Sequence, residues 1–210
     1  FNGSIDNVSV KEVITSNVPR IDYTNGCGSL LLEKQSTNLI TYSEDFSNAS
    51  WVKVNSSITA NATTSPDGTT NADSLNSTST TEAIYQISAS GTISFSVYAK
   101  AGTTTSLQLA SSTSFNGRAA DFNLSNGTIS NVVQGGQVID SQIESVGGGW
   151  YRCSASFTAN ASGTSLWFVS AASGGASNAG DNVYIQDSQS ESSLVATPYI
   201  ESGATTGKAG

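Results

Sequence analysis

Apolar and polar residues alternate over short segments along most of this chain, which is the pattern of β-strands that bury one face. Turn signals separate these segments, as at Pro66-Asp67-Gly68 and Gly147-Gly148-Gly149. The strands that the pattern predicts most clearly cover residues 83–88, 92–100, 106–110, 119–124, 137–144, 150–158, 165–171 and 182–186. No segment repeats its apolar residues with the period of a helix. The sequence therefore predicts an all-β fold of the antiparallel β-sandwich type.

The same alternation assigns each strand an inner face and an outer face. In residues 92–100, for example, Ile93, Phe95 and Val97 fall on the inner face. The outer residues that combine aromatic, cationic and amide side chains are Tyr98, Lys100, Gln108, Trp150, Arg152, Tyr184 and Gln186.

These outer residues form our candidate glycan-binding site, provided that the strands which carry them are neighbours. Sugar rings stack their apolar C–H faces on aromatic rings, and their hydroxyl groups need fixed hydrogen-bond partners. The alternative is that Trp150 and Tyr98 pack beneath a loop or against another subunit, because aromatic residues are also enriched at protein interfaces.

Composition narrows the classes of function. The chain has 8 Lys and Arg against 16 Asp and Glu, a net charge of −8, and this acidity argues against a nucleic-acid partner. No apolar run approaches the length of about 20 residues that a membrane-spanning helix needs, so membrane insertion is not expected. The chain contains no histidine, which excludes Ser-His-Asp and Cys-His catalysis and every histidine-containing metal site.

Two carboxylate pairs are the formal candidates for glycosidase chemistry, Asp140 with Glu144 and Glu44 with Asp45. Nothing in the sequence places either pair across a cleft. Asp140 and Glu144 share one strand face, as solvated carboxylates do. The sequence therefore indicates a protein that binds or scaffolds and is not an enzyme.

The two cysteines, Cys27 and Cys153, enclose a long loop. In an extracellular setting a disulfide between them would restrict the unfolded chain. Cys153, however, occupies an inner position of its strand, where it also fits as a small buried hydrophobic residue. Both interpretations remain open from the sequence.

Four stretches occur together in a characteristic order. They are SLLLEKQSTNLITYSEDF at 29–46 followed by Trp51, SFSVYAKAG at 94–102, DFNLSNGT at 121–128 and GWYRCS at 149–154. Together they resemble the sandwich domains of tailed-phage fibre and head-decoration proteins, which are virion structural proteins similar to carbohydrate-binding modules of the jelly-roll kind. The resemblance covers about residues 29–200. It implies a jelly-roll-like sandwich on the virion surface or in another extracellular place.

The resemblance also raises the question of a calcium ion. Such modules often place a carboxylate of the last strand near a structural calcium, and Asp187 is the carboxylate in the corresponding stretch here. Glu44 and Asp45 complete the candidate ligand set, because hard oxygen donors suit this ion. The alternative is that Glu44 and Asp45 are solvated turn carboxylates. No other cofactor is implied.

The resemblance also divides the chain into four segments. Residues 1–14 resemble the closing strand of an upstream module, residues 15–28 read as a connector, and residues 29–200 form the predicted sandwich. Residues 201–210 are rich in Gly, Ala and Thr and are predicted to form a flexible tail. A strand without a sheet of its own must pair elsewhere, so residues 1–14 either belong to an upstream module or act as a donor strand for another subunit.

The leading hypothesis is a non-catalytic module of a fibre, spike or decoration protein. Its expected partners are a host surface polysaccharide, contacted by weak multivalent binding, and other copies of itself or neighbouring virion proteins. The alternative is a structural subunit of an extracellular filament that assembles by donor-strand pairing of residues 1–14.

Overall fold

The computed structural model divides the chain into two compact units, residues 1–35 with residue 210, and residues 36–209. The residues that the structure describes are 20–22, 29–31, 36–79, 82–88, 91–111, 118–132, 138–158, 165–170 and 178–209. In the first unit these form one antiparallel pair, β1 (Arg20–Asp22) with β2 (Ser29–Leu31). The predicted donor strand, residues 1–14, lies outside the described residues, so its pairing stays a prediction.

The described part of the second unit consists of strands, turns and loops. In chain order its strands are β3 (Ser36–Asn38), β4 (Val52–Val54), β5 (Ser56–Thr63), β6 (Ala72–Ser77), β7 (Ala83–Tyr85), β8 (Ile87–Ser88), β9 (Thr92–Ala101), β10 (Ser106–Ser111), β11 (Arg118–Asn123), β12 (Thr128–Val132), β13 (Val138–Gly147), β14 (Trp150–Thr158), β15 (Ser165–Ser170), β16 (Asn182–Glu191) and β17 (Gly207–Ala209). No described residue lies in a helix, which confirms the predicted all-β class.

Two large sheets dominate this unit. One has seven strands in the order β12-β11-β10-β15-β7-β4, with β8 beside β15. The other has six strands in the order β13-β14-β9-β16-β6-β5, and β3 pairs separately with β17. Every pairing between described strands is antiparallel.

The two sheets bury their inner faces in one hydrophobic core. Phe95 and Val97 of β9 enter it from the six-stranded sheet, and Leu107 and Phe122 enter it from the seven-stranded sheet. Burial of apolar area on two facing sheets is what stabilises a sandwich. The predicted β-sandwich is therefore confirmed.

The predicted domain limits stay a prediction, although two segments are assigned in the structure. Ser29–Leu31 pairs within the first unit. The segment interpreted as a tail carries β17, whose Gly207 to Ala209 pair with Asn38 to Ser36 of β3. None of the described residues belongs to a helix with the length and apolar character that a membrane crossing requires.

Gly127 lies in the turn between β11 and β12 with a φ of 69°. A Cβ at this position would lie 2.7 Å from Cε1 of Tyr151. We expect Gly127→Ala to lower the free energy of unfolding by about 1–3 kcal/mol, because alanine adopts this φ only under strain. Equilibrium urea denaturation measures the loss. Gly203→Ala is the control, since a Cβ there meets no atom within 4 Å, and an equal loss in both variants would contradict the prediction.

Candidate functional site

The outer face of the six-stranded sheet, on the side away from the core, collects most of the predicted glycan-binding residues. Lys100 of β9 lies directly between Trp150 of β14 and Tyr184 of β16. Two residues along the strands, a second row holds Arg152, Tyr98 and Gln186. Residues two apart on a strand share a face, so these two rows lie side by side. Register thus brings together six residues that are distant in sequence.

Gln108 is the member that the structure does not bring to this face. It lies on β10 of the seven-stranded sheet and is only 2% exposed. Its side-chain amide donates a hydrogen bond of 2.6 Å to Asp121, which lies directly across from it on β11. The side chain therefore satisfies a buried carboxylate in the other sheet.

Trp150 is also withdrawn from solvent. It is 2% exposed, and its indole Nε1 donates to the carbonyl oxygen of Thr64 at 3.1 Å. Packing beneath a loop is thus the observed arrangement for Trp150. Tyr98, Lys100, Arg152 and Tyr184 remain partly exposed, and we call these four residues the open patch.

A loop of residues 192–200 is fastened to the outer face beside the open patch. The guanidinium Nη2 of Arg152 donates to the carbonyl oxygen of Thr197, and Ser156 Oγ donates to that of Leu194 at 2.5 Å. The buried carboxylate of Glu191 holds the loop from the strand, because it accepts bonds from the amide and hydroxyl of Thr197 at 2.8 and 2.6 Å. These hydrogen bonds hold the loop against the outer face.

Asn38 also holds separate segments together by hydrogen bonds. The sequence pattern did not identify it as a site residue. Its side chain is fully buried and donates to the carbonyl oxygens of Ser188 at 3.0 Å and Ile200 at 2.8 Å. Its Oδ1 accepts from the amides of Ser190 at 3.1 Å and Ile40 at 3.2 Å. One amide group thereby joins β3, the end of β16 and the end of the 192–200 loop. Its sequence signal was its place in the stretch at 29–46, which is one of the four that carry the resemblance.

Four acidic residues form a carboxylate cluster, namely Glu44, Asp67, Asp187 and Glu201, in which each acts electrostatically on at least one other. Burial raises the pKa of Asp187 to about 7, and the negative charge of Glu44 adds to the rise. Burial also raises the pKa of Glu44, against a hydrogen bond from Tyr199 at 3.1 Å. Hydrogen bonds from Ser65 and Thr69 hold the pKa of Asp67 at about 2.

Asp187 sits in a β-bulge, where β16 shifts register against β9 between Gln186 and Gln189, and its φ is 51°. Bulges re-aim side chains and are common beside functional sites. Burial of the Tyr199 hydroxyl next to this cluster raises the pKa of that phenol. Within the cluster, hydrogen-bond donors reach Asp67 and Glu44, whereas one buried oxygen of Asp187 has no partner.

The donor set of this cluster fits an oxygen-bound cation. Oδ1 of Asp187, Oε1 of Gln186 and Oδ1 of Asn71 are buried without a hydrogen-bond partner. Gln186 is only 2% exposed, and its side chain is hydrogen-bonded to Asp187. Buried acceptors without a donor are rare and call for a cation or water. Within the described part of the chain, no three His, Cys, Asp or Glu residues are grouped as metal ligands, so amide oxygens would have to contribute.

Asp45 is not part of the cluster. It is exposed, and its Oδ1 accepts bonds from the amides of Ser47 and Asn48, each at 3.1 Å. This is a turn carboxylate that orders its own loop. Of the three predicted calcium ligands, the structure therefore brings together Glu44 and Asp187 alone.

The remaining sequence candidates lie apart from the outer face and the cluster. Asp140 and Glu144 are exposed on the edge strand β13. Cys153 is a free thiol buried in the core, where burial raises its pKa, and Cys27 lies outside the described residues.

No protein-family model matches the chain, and no curated protein matches it. Among solved structures, the chain is similar to the enzymatically active domain of tailspike protein 4 from bacteriophage CBA120, with 13% sequence identity and a TM-score of 0.42. The match covers 73% of this chain and 21% of that chain, so this chain spans about a fifth of that structure's length.

This match corrects our interpretation of the chain as a non-enzyme, because the matched domain is described as enzymatically active. At 13% identity the likeness concerns the fold alone, and it assigns neither an activity nor a site to this chain. We therefore do not propose that this chain lacks catalytic activity.

Proposed function

We propose that this chain is a phage virion-surface module, part of a fibre, spike or decoration protein, whose outer face contacts a host surface polysaccharide. The observation that carries the proposal is the register of β14, β9 and β16, which gathers Tyr98, Lys100, Arg152 and Tyr184 into one partly exposed patch. The resemblance of four sequence stretches to phage fibre and decoration domains supports the same assignment.

The chemistry of the open patch suits a sugar ring. Tyr98 and Tyr184 offer apolar ring faces, and the cationic groups of Lys100 and Arg152 offer hydrogen-bond donors to hydroxyl groups. A patch of this size gives weak binding for one copy. Many copies on one virion would multiply it, because linked sites bind with a high effective concentration.

Removing one tyrosine ring should weaken polysaccharide binding. We expect Tyr184→Ala to lower the affinity of the chain for a bacterial surface polysaccharide about tenfold, the loss expected for a contact worth about 1.4 kcal/mol. Affinity electrophoresis against a panel of such polysaccharides measures the change, and a reducing-end assay on the same incubations reports any cleavage.

Ile87→Ala is the matched control, because Ile87 is 67% exposed but lies on β8 of the other sheet. It should leave binding unchanged. If no polysaccharide is retained even when many copies of the chain are displayed on one bead, the proposed function is wrong.

We also propose that calcium binds at the carboxylate cluster, with Glu44, Asp187 and the amide oxygen of Gln186 as ligands. The unpartnered buried oxygens of Asp187 and Gln186 support this. When bound, calcium would supply positive charge among mutually repelling carboxylates. Its role would be to fix the bulge of β16 against the segment that carries Glu44.

Adding calcium should therefore stabilise the fold. At about a hundred times its dissociation constant, a bound ion adds about 2.7 kcal/mol to the free energy of unfolding. Thermal unfolding in calcium chloride, magnesium chloride and EDTA measures the effect. Asp187→Asn should abolish it and Asp45→Asn should not, whereas equal midpoints in calcium and EDTA for the unaltered chain would refute the site.

A further inference from the structure

Lys100 and Arg152 stand close together in a chain that carries twice as many acidic as basic residues. Lys100 pairs with Trp150 and Tyr98 pairs with Arg152, so the two cations occupy diagonal positions on the adjacent strands β9 and β14. Diagonal residues on one face lie roughly 7–8 Å apart. This is the spacing of the backbone positions that carry the two long side chains, and two cations on neighbouring side chains repel each other unless an anion lies near them.

Arg152 has only neutral partners. Its Nη2 donates to Ser96 Oγ at 3.3 Å and to the carbonyl oxygen of Thr197, and its guanidinium lies 5.9 Å from the ring centre of Tyr98. Its buried Nε has no acceptor. Glu144 lies directly opposite on β13 but is exposed, and no ion pair joins the two side chains.

Lys100 is likewise not neutralised, since it forms no ion pair with any described residue. Its Cε packs against the turn at Gly149, where an added Cβ would lie 3.6 Å away. The carboxylate cluster does not neutralise the two cations either. The charges that act on Asp187 and Glu44 come from other carboxylates, and neither Lys100 nor Arg152 is among them.

A sugar that carries a carboxylate group offers a ring face for the tyrosines of the open patch and a negative charge for its two cations. Its ring can contact Tyr98 or Tyr184, and its carboxylate can approach both cations from solvent. The guanidinium of Arg152 and the ammonium of Lys100 each add a positive charge that a carboxylate compensates, and the ammonium also has hydrogen-bond donors to offer it. A neutral sugar would cover these cations without compensating their charge, which opposes binding.

We propose that the open patch selects an acidic, carboxylate-bearing polysaccharide over a neutral one. The inference rests on the proposed function, because it names the class of glycan that the same patch takes. It adds that Lys100 and Arg152 determine specificity, while the tyrosine rings contribute contact area that neutral and acidic sugars share.

The test compares polysaccharides that differ only in their carboxyl groups. Polygalacturonate, alginate and hyaluronate are each used as such and after chemical reduction of the carboxyl groups to alcohols. We expect retention of at least one acidic polymer and at least tenfold weaker binding of its reduced form. Binding of the acidic form should also weaken as salt rises, because ions screen exposed charges.

Lys100→Gln should lower the affinity for the acidic polymer about tenfold and lower that for its reduced form much less, because glutamine loses the charge but keeps a hydrogen-bond donor for hydroxyl groups. Lys208→Gln is the matched control, because Lys208 is an exposed lysine on β17. Polyglutamate, an anion without sugar rings, shows whether charge alone is sufficient for binding.

The outcomes separate this inference from the proposed function. Equal affinity for acidic and reduced polymers overturns the acidic preference and leaves glycan contact standing. Polyglutamate binding as tight as that of the acidic polymers also overturns it. If neither form of any polymer binds, both the preference and the proposed glycan contact fail.

Discussion

Replacing Asn38 with aspartate is expected to lower the free energy of unfolding by about 3–5 kcal/mol at neutral pH. The substitution keeps the shape of the side chain but exchanges its donating group for an oxygen. That oxygen would face the carbonyl oxygens of Ser188 and Ile200, which now accept bonds of 3.0 and 2.8 Å from the amide. Two hydrogen bonds are lost, and the buried negative charge keeps only the amides of Ser190 and Ile40 as donors, with no cation beside it.

The loss should depend on pH with a definite sign. Burial beside two carbonyl oxygens raises the folded-state pKa of the new carboxyl group above the unfolded value of about 3.9. The variant is therefore least impaired at acidic pH, where the group is protonated and can donate one bond. Its stability then falls relative to the parent chain as the pH rises above that unfolded value.

Urea denaturation between acidic and neutral pH measures both the loss and its pH dependence. Asn126→Asp is the matched control, because Asn126 is exposed and its Oδ1 accepts from the amide and the hydroxyl of Thr128, a role that a carboxylate also fulfils. A loss at Asn38 no larger than the loss at Asn126 would show that this buried amide does not join the segments as described.

Trp51→Ala is expected to cost about 3–5 kcal/mol of unfolding free energy, the range for removing a large aromatic residue from a core. Trp51 is 1% exposed, its ring centre lies 4.9 Å from that of Phe46, and its Nε1 donates to the carbonyl oxygen of Tyr42 at 3.0 Å. Its removal leaves a cavity next to the segment that leads to Glu44.

Trp51→Phe separates packing from hydrogen bonding. It keeps most of the ring contact with Phe46 and loses the bond to Tyr42, so its loss should be clearly smaller than that of alanine. Denaturation midpoints measure both losses. Polysaccharide retention should be unchanged in the folded Phe variant, because Trp51 lies in the core, and reduced retention at unchanged stability would contradict this assignment.

The strands that the sequence predicted are those whose large apolar residues alternate. Residues 150–158 were predicted with the observed limits of β14, and residues 92–100 differ from β9 by one residue. The pattern missed β5 and β6, with the sequences SSITANAT and ADSLNS, because each contains one large apolar residue. Pairing with β16 and burial of its small polar side chains make β6 a strand.

The alternation pattern also missed the end of β16. Its predicted range stopped at Gln186, yet the strand continues to Glu191 through a wholly polar run. Ser188 to Glu191 of this run are buried, and Asn38 and Thr197 satisfy polar groups of Ser190 and Glu191. Alternation detects apolar burial and has no means of detecting burial that depends on hydrogen bonds from distant segments.

The sequence by itself determined the all-β class, the inner and outer faces of the main strands and the chemistry available on the outer face. These features follow from a period of two along each strand, which is a local property. Through the resemblance, the sequence also made Glu44 and Asp187 candidates for one site.

Only the tertiary structure decided which of these residues meet. Strand order placed Gln108 in the other sheet, a loop covered Trp150, and a local turn kept Asp45 apart from Glu44 and Asp187. The first two outcomes depend on contacts between different segments of the chain, and alternation within a strand carries no information about its neighbours or about the hydrogen bonds of a turn. The open patch and the carboxylate cluster are therefore products of register and loop placement.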